Sequence, residues 1–402
     1  MTLSFCIIVR DEEAMLARCL ESVRNVVDEM IVVDTGSQDR TIDIAKSFGA
    51  QVHHFEWCHD FSVARNEALK YAKGDWILVL DADEVLAPQI IPALKQAIQS
   101  ETHLVVNLVR QEIGAAQSPY SMLSRLFRRH PEVWFTRPYH AMIDDQVTNL
   151  LQRESHWQIG YIPEVAILHD GYQANVIAAR GKLTKARHAM EGFLAAHPDD
   201  AYVCSKLGAL YIEIGEIKAG LELLKIGLRS INRNANDDAA TKYELHYHLG
   251  SVYYELQQFE QAETHYQAAI QQPILPKLKL GAINNLATLL KETGDLQRAK
   301  MLYQKTLHID PMFAMGYCNL GATLKAMGQL TAAINHYQKA IDLNPNYADA
   351  YQNLGVVLLK IGQVSDSLAA FKSAIALHEK TNPSEANRLK QGLCEMGLWN
   401  NP

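Results

Sequence analysis

Three short runs in the first 90 residues join carboxylates to turn formers in a way that suits ligand chemistry: Arg10-Asp11-Glu12-Glu13, Asp34-Thr35-Gly36-Ser37-Gln38-Asp39 and Asp81-Ala82-Asp83-Glu84. In the last, two carboxylates two residues apart at a strand end project to the same side and form a hard-oxygen site for Mg²⁺ or Mn²⁺. Such an ion would bridge a diphosphate and neutralise the charge that develops as a nucleoside diphosphate departs. The competing reading is an N-cap ahead of Pro88. In the second run, Asp34 can accept hydrogen bonds from a base or ribose, Gly36 permits a positive φ, and Ser37 or Asp39 can cap the following helix. A capped turn without a ligand explains the same residues.

These runs need a scaffold that brings them together. Apolar segments at 3–9, 30–33, 50–55 and 76–80 alternate with amphipathic stretches at 12–26, 41–48 and 62–72. That is the βαβ rhythm of a parallel sheet, with the continuous apolar run at 76–80 buried on both faces. Ligands bind beyond the C-terminal ends of strands in open α/β sheets, so the three runs are expected to converge on one crevice. Residues 1–175 hold 15 Lys and Arg against 24 Asp and Glu, which makes this acidic part the place to look for catalysis.

The rest of the chain repeats at a fixed interval. Asn285-Leu286, Asn319-Leu320-Gly321 and Asn353-Leu354-Gly355 recur every 34 residues, the period of stacked helix pairs. Tyr317, Leu320 and Leu324 share one helical face, and Ala333, Tyr337 and Ala340 line the next helix before Pro345 ends it. The unit strongly resembles a tetratricopeptide repeat. Five units are expected from 201 to 380, after a helix near 184–196 and before a closing helix near 384–396. The expected domains are therefore 1–175, a linker helix at 176–200, and the repeats at 201–402. Lys206, Asn284, Asn319 and Asn353, at variable positions on first helices, could pair with a peptide backbone or hydrogen-bond between units.

Composition narrows the function classes. With 402 residues, 48% hydrophobic and 13 prolines, extended disorder is excluded, and a net charge of -7 argues against a protein that grips nucleic acid. No apolar run has the length of a membrane span, so a cytoplasmic protein is expected. Six scattered cysteines without a CxxC pair signal neither a disulfide framework nor a zinc site and read as small buried residues. His53, His54 and His59 lack metal-ligand spacing and read as loop surface.

The segments CIIVRDEE, IIVVDTGSQDRT, WCHDFSVARNEAL and GDWILVLDADE resemble family 2 glycosyltransferases with the GT-A fold. The specific likeness is to the subgroup followed by tetratricopeptide repeats, which includes peptide S-glycosyltransferases. The resemblance implies an α/β GT-A (Rossmann-like) domain followed by an all-α repeat solenoid. It implies a metal-dependent, inverting transferase that moves a sugar from a nucleotide-sugar, expected to be a UDP-sugar, to a hydroxyl or thiol of a peptide, protein or glycan. By the same resemblance, Arg10, Glu12, Asp34, Ser37, Arg65, Asn66 and Asp81 line the nucleotide-sugar pocket. Asp81, Asp83 and His169 are the implied ligands of Mn²⁺ or Mg²⁺. The subgroup's His-Glu is here His140-Ala141, so the general base falls to His140, Asp144 or Asp145, and Asp170 replaces the usual aromatic. The missing carboxylate motivates an alternative: a repeat scaffold whose transferase domain binds donor without turnover. The repeats are expected to recruit a partner protein or a second copy. A dehydrogenase is excluded, because VRDEEA is the opposite of a GxGxxG turn.

Overall fold

The computed structural model describes residues 1–115, 118–170, 176–233 and 238–399. Two compact units emerge, 1–237 and 238–402. In the first, β1 (Leu3–Val9), α1 (Leu16–Val23), β2 (Glu29–Asp34), α2 (Thr41–Ser47), β3 (Gln51–His54), α3 (Phe61–Tyr71) and β4 (Trp76–Val79) alternate as the apolar pattern requires. Then come β5 (Glu84–Leu86), α4 (Ile91–Ala97), β6 (His103–Glu112), β7 (Tyr120–Arg128), α5 (Asp144–Arg153) and β8 (Gln158–His169).

The sheet order is β3-β2-β1-β4-β7-β6-β8-β5. Strands β1 to β4 are parallel, β7 pairs antiparallel with β4 and β6, and β8 runs parallel to β6 and antiparallel to β5. The sheet is therefore mixed rather than simply parallel. Its antiparallel half carries Arg110, Glu112 and Arg125 on β6 and β7. Buried Leu16, Cys19, Leu20 and Val23 of α1 pack with Phe5, Ile7 and Leu78 on one face; Ala68 of α3 and Ile143, Val147 and Leu150 at α5 cover the other. Both faces of β4 are thus dry, as its uninterrupted apolar sequence requires.

The first unit continues with α6 (Val176–Ala196), α7 (Ala201–Glu213) and α8 (Ile217–Arg233). The second unit contains α9 (Ala239–Glu255), α10 (Phe259–Gln271), α11 (Leu280–Glu292), α12 (Leu296–Ile309), α13 (Ala314–Ala326), α14 (Leu330–Leu343), α15 (Ala348–Lys360), α16 (Val364–Thr381) and α17 (Pro383–Glu395). Helices α7 to α16 form five consecutive pairs among the described residues. Pairing is close because Gly321 faces Tyr337 and Gly355 faces Phe371: a Cβ at Gly321 would lie 2.8 Å from the Tyr337 ring. Asn319 donates to Asn284 across 2.9 Å, and Lys325 donates to Asn353 across 2.9 Å. These amides hold neighbouring units together in the structure. Among the cysteines, Cys6, Cys19, Cys204 and Cys318 are buried, whereas Cys58 is exposed, contrary to its reading as a buried residue.

Candidate functional site

The β1–α1 and β2–α2 loops lie side by side at the C-terminal ends of adjacent parallel strands, and their polar side chains join them. Ser37 Oγ accepts from the Asp11 amide at 3.0 Å, Asp11 accepts from the Gln38 amide at 2.7 Å, and Glu13 accepts from the Arg40 amide at 3.1 Å. The Glu12 amide donates to Thr41 Oγ1 at 2.7 Å. Asp34 is 2% exposed and accepts from the amides of Gly36 and Ser37, while Gly36 takes φ 103°. The His54 ring lies 3.5 Å from the same carboxylate, so His53 and His54 belong to β3 rather than to a surface loop. Arg10 is half exposed at the rim, near Asp11.

Beyond β4 the two carboxylates of Asp81 and Asp83 diverge. Asp81 is held from two sides: Arg65 of α3 donates to Oδ1 at 2.6 Å, and Arg125 of β7 donates to Oδ2 at 2.9 Å. Burial works to raise the Asp81 pKa, but the guanidiniums of Arg125, Arg65 and Arg110 outweigh it and hold the group below the usual carboxylate range. Behind it, the fully buried Glu84 accepts from the Asp81 amide at 2.9 Å and from Arg110 at 2.8 Å. Arg65 Nε and Arg125 Nη1 are buried without hydrogen-bond partners. Asn66, one residue on, exchanges two hydrogen bonds with the backbone of Phe135 and so fixes the loop that follows β7.

Asp83 turns the other way, its carboxylate 3.3 Å from His169 Nε2 at the end of β8. His169 Nδ1 lies 2.5 Å from Glu112, and Glu112 also pairs with Arg110 at 2.6 Å. Hydrogen bonds to Asp83 and Glu112 raise the imidazole pKa to about 10. A carboxylate behind one ring nitrogen fixes the tautomer and orients the other nitrogen, the usual support of a metal-binding histidine. With its pKa so raised, the ring is protonated at pH 7 and Nε2 donates to Asp83, and a divalent cation would have to displace that proton to use the oxygen and the nitrogen together. No group of three or more His, Cys, Asp or Glu side chains suited to a metal ion occurs among the described residues. Asp170, in place of an aromatic, pairs with Arg18 and ties the end of β8 to α1.

Beside α3, residues 136–142 form a closed loop whose ends exchange Thr136 and Met142 backbone hydrogen bonds. Ala141 supplies its carbonyl to Arg65 at 3.3 Å, so the position without a carboxylate still touches the charged cluster through its backbone. His140 adopts φ 52° at the protein surface. The surrounding protein, then the cations of Lys206, Arg110, Arg65 and Arg125, act to lower its pKa, opposed by the solvent that reaches the ring. Asp144, in the first turn of α5, accepts from Ser124 at 2.8 Å. Asp145 pairs with Arg137 at 2.7 Å.

Sequence reading did not single out Arg110, Glu112 or Arg125 for the nucleotide side of the site, and it named Glu84 only as the last residue of the Asp81–Glu84 run. A usable signal was present: Arg110 and Glu112 are charges two apart at the end of an apolar strand, hence on one face of the sheet.

Comparison with known proteins agrees with this architecture. Residues 4–160 match the model of Glycosyl transferase family 2, and 243–272, 280–309, 323–362 and 348–385 match tetratricopeptide repeat models. A TPR repeat-containing protein of Synechococcus elongatus is 45% identical over 293 residues, covering 73% of this chain and 72% of its own. The SPbeta prophage-derived glycosyltransferase SunS of Bacillus subtilis is 26% identical over 206 residues, covering 50% of this chain and 46% of its own. An uncharacterized glycosyltransferase of Rickettsia typhi is 41% identical over 88 residues, covering 22% and 30%. No described helix is long and apolar enough to cross a membrane. The chain therefore carries a Glycosyl transferase family 2 domain at residues 4–160 followed by tetratricopeptide repeats, and is a glycosyltransferase.

Proposed function

We propose that the crevice beyond β1, β2 and β4 binds a nucleoside diphosphate sugar, with UDP as the nucleotide, and passes the sugar to an acceptor hydroxyl or thiol with inversion. The observation that carries this reading is the pair of buried guanidiniums, Arg65 and Arg125, each retaining an unpartnered N–H beside Asp81. Buried donors of this kind cost free energy unless an anion satisfies them, and a diphosphate does so. Asp34, at the bottom of the neighbouring loop, is placed to accept from a base or ribose once its own turn yields. Asp83 and His169 would hold a divalent cation, Mn²⁺ or Mg²⁺, and Glu112 behind His169 would orient the ring. When bound, that ion neutralises charge on the departing diphosphate.

For acceptor deprotonation the candidates are His140, Asp144 and Asp145, of which Asp145 is paired with Arg137. Ser124 holds Asp144 at the N-terminal turn of α5. A peptide or protein acceptor, or a second copy, recruited by the repeats fits the same reading. The test is release of nucleoside diphosphate from UDP-glucose, UDP-N-acetylglucosamine and GDP-mannose, with Mn²⁺ and with EDTA. A UDP-sugar turned over only with Mn²⁺ is expected. Equal rates in EDTA would overturn the metal assignment, and turnover of GDP-mannose alone would overturn the nucleotide.

A further inference from the structure

Arg137 is buried, positively charged and held at φ 72°, a conformation unfavourable for a side chain with a Cβ. Its guanidinium bridges two carboxylates from different elements. Nη1 donates to Asp145 of α5 at 2.7 Å, while Nη2 and Nε reach Asp200 at 2.7 and 3.2 Å. Asp200 is the N-cap of α7, where its other oxygen accepts from the Val203 amide at 2.8 Å. The guanidinium also lies over the ring of Tyr202, 5.4 Å from its centre. Two residues on, Tyr139 packs against Ala186 and Met190 of α6 and Val203 and Leu207 of α7. The opposite side of the same loop faces the charged cluster: the Phe61 amide donates to the Pro138 carbonyl, and Arg65 reaches the Ala141 carbonyl.

We propose that α7, the first helix of the repeat array, is a working part of the acceptor side of the site, and that Arg137 is the positioning residue that locks residues 136–142 and the first turn of α5 onto it. This rests on the reading of the Arg65–Asp81–Arg125 cluster as the donor site. The loop has seven residues, two of them (Arg137 and His140) at positive φ, and only two backbone hydrogen bonds closing it on itself. Its geometry is imposed from outside, by Arg65 at one edge and by Asp200 at the other. His140 and Asp144 then sit at fixed positions relative to the donor because a repeat helix holds them there. The first pair of the array acts as part of the transferase, and the acceptor is recognised at a surface that α7 helps to shape.

The test uses the full chain. Asp200→Asn keeps an acceptor for the Val203 amide but removes the charge that holds Arg137, and Arg137→Lys and Arg137→Met grade the loss. Hydrogen exchange is expected to show the Phe61 and Met142 amides opening about tenfold faster in Asp200→Asn, with β1 and β4 unchanged. Diphosphate release from the UDP-sugar that the wild type turns over fastest should fall about tenfold in kcat, with KM for that donor unchanged. Arg137→Lys should retain more activity than Arg137→Met. Unaltered exchange at 136–142, or an unaltered kcat, overturns the proposal. A wild-type chain that turns over none of the donors refutes the donor reading instead, and exchange at 136–142 still decides whether the clamp holds the loop.

Discussion

The crevice of the first unit and the repeats of the second solve opposite packing problems. Around Asp81 five charged side chains meet, with Arg65, Glu84 and Arg125 buried and Asp81 and Arg110 partly exposed, and they come from α3, β5, β6, β7 and the turn after β4. In the repeats the fully buried large side chains include Tyr266, Tyr303 and Tyr337, and Tyr266 and Tyr337 meet Gly250 and Gly321 on the preceding helix. Buried charge is stable only while every partner is present, and it is kept where a charged ligand must be received. Ring-on-glycine packing tolerates change unit by unit, because each helix pair depends mainly on its neighbours. Polar placement in the first unit therefore serves chemistry, whereas small-residue placement in the second serves stacking.

Four substitutions would break or sharpen that contrast. The largest effect is expected for Asp83→Ala, at the strand-end position beside His169. Turnover should fall by several kcal/mol of transition-state stabilisation, roughly 10³-fold, while the melting temperature is retained. Calorimetric titration with UDP and Mn²⁺ checks the cause, and unchanged Mn²⁺ dependence of binding would remove Asp83 from the metal site. Next is Glu84→Ala, which leaves Arg110 buried beside a single remaining carboxylate, Glu112, and takes the acceptor from the Asp81 amide. A loss of about 3 to 5 kcal/mol in urea unfolding is expected. A loss below about 1 kcal/mol would mean that the buried charges of the crevice are no more demanding than the repeats.

In the second unit, Gly321→Ala should cost about 1 to 3 kcal/mol, because the new methyl would lie 2.8 Å from the fully buried Tyr337 ring. Pairing it with Tyr337→Leu should recover part of the loss, and equal destabilisation in both backgrounds would show that the ring is not the cause. The smallest effect concerns the turn after each first helix. Gly215, Gly294, Gly328 and Gly362 adopt φ of 76° to 90° there, and Gln257 occupies the equivalent place at φ 57°. Gln257→Gly is expected to stabilise the chain by about 1 kcal/mol, seen as a raised denaturation midpoint. A lowered midpoint would mean that the Gln257 side chain contributes more than its backbone strain costs.

The order of the two architectures, the strand ends that carry Asp34, Asp81 and Asp83, and the 34-residue stacking unit are all legible in the chain before it folds. Each of these is a local pattern: an apolar run followed by a turn, or a small residue recurring at helical spacing, is readable without knowing what lies across the fold. Only the tertiary structure decided how the carboxylates are used. The two aspartates of the Asp-x-Asp run were expected to share one ion, but Asp81 faces Arg65 and Arg125, 16 and 44 residues away, and Asp83 faces His169, 86 residues away. Asn66 was assigned to the nucleotide pocket with Arg65, yet in the structure its amide is engaged by the Phe135 backbone. Arg137 joins Asp145 to Asp200, the latter 63 residues from Arg137, a link that no spacing announces. The physical reason is range: backbone propensity and hydrophobic periodicity act within a turn or two of chain, whereas a long charged side chain takes its partner from whichever strand or helix the sheet topology brings beside it.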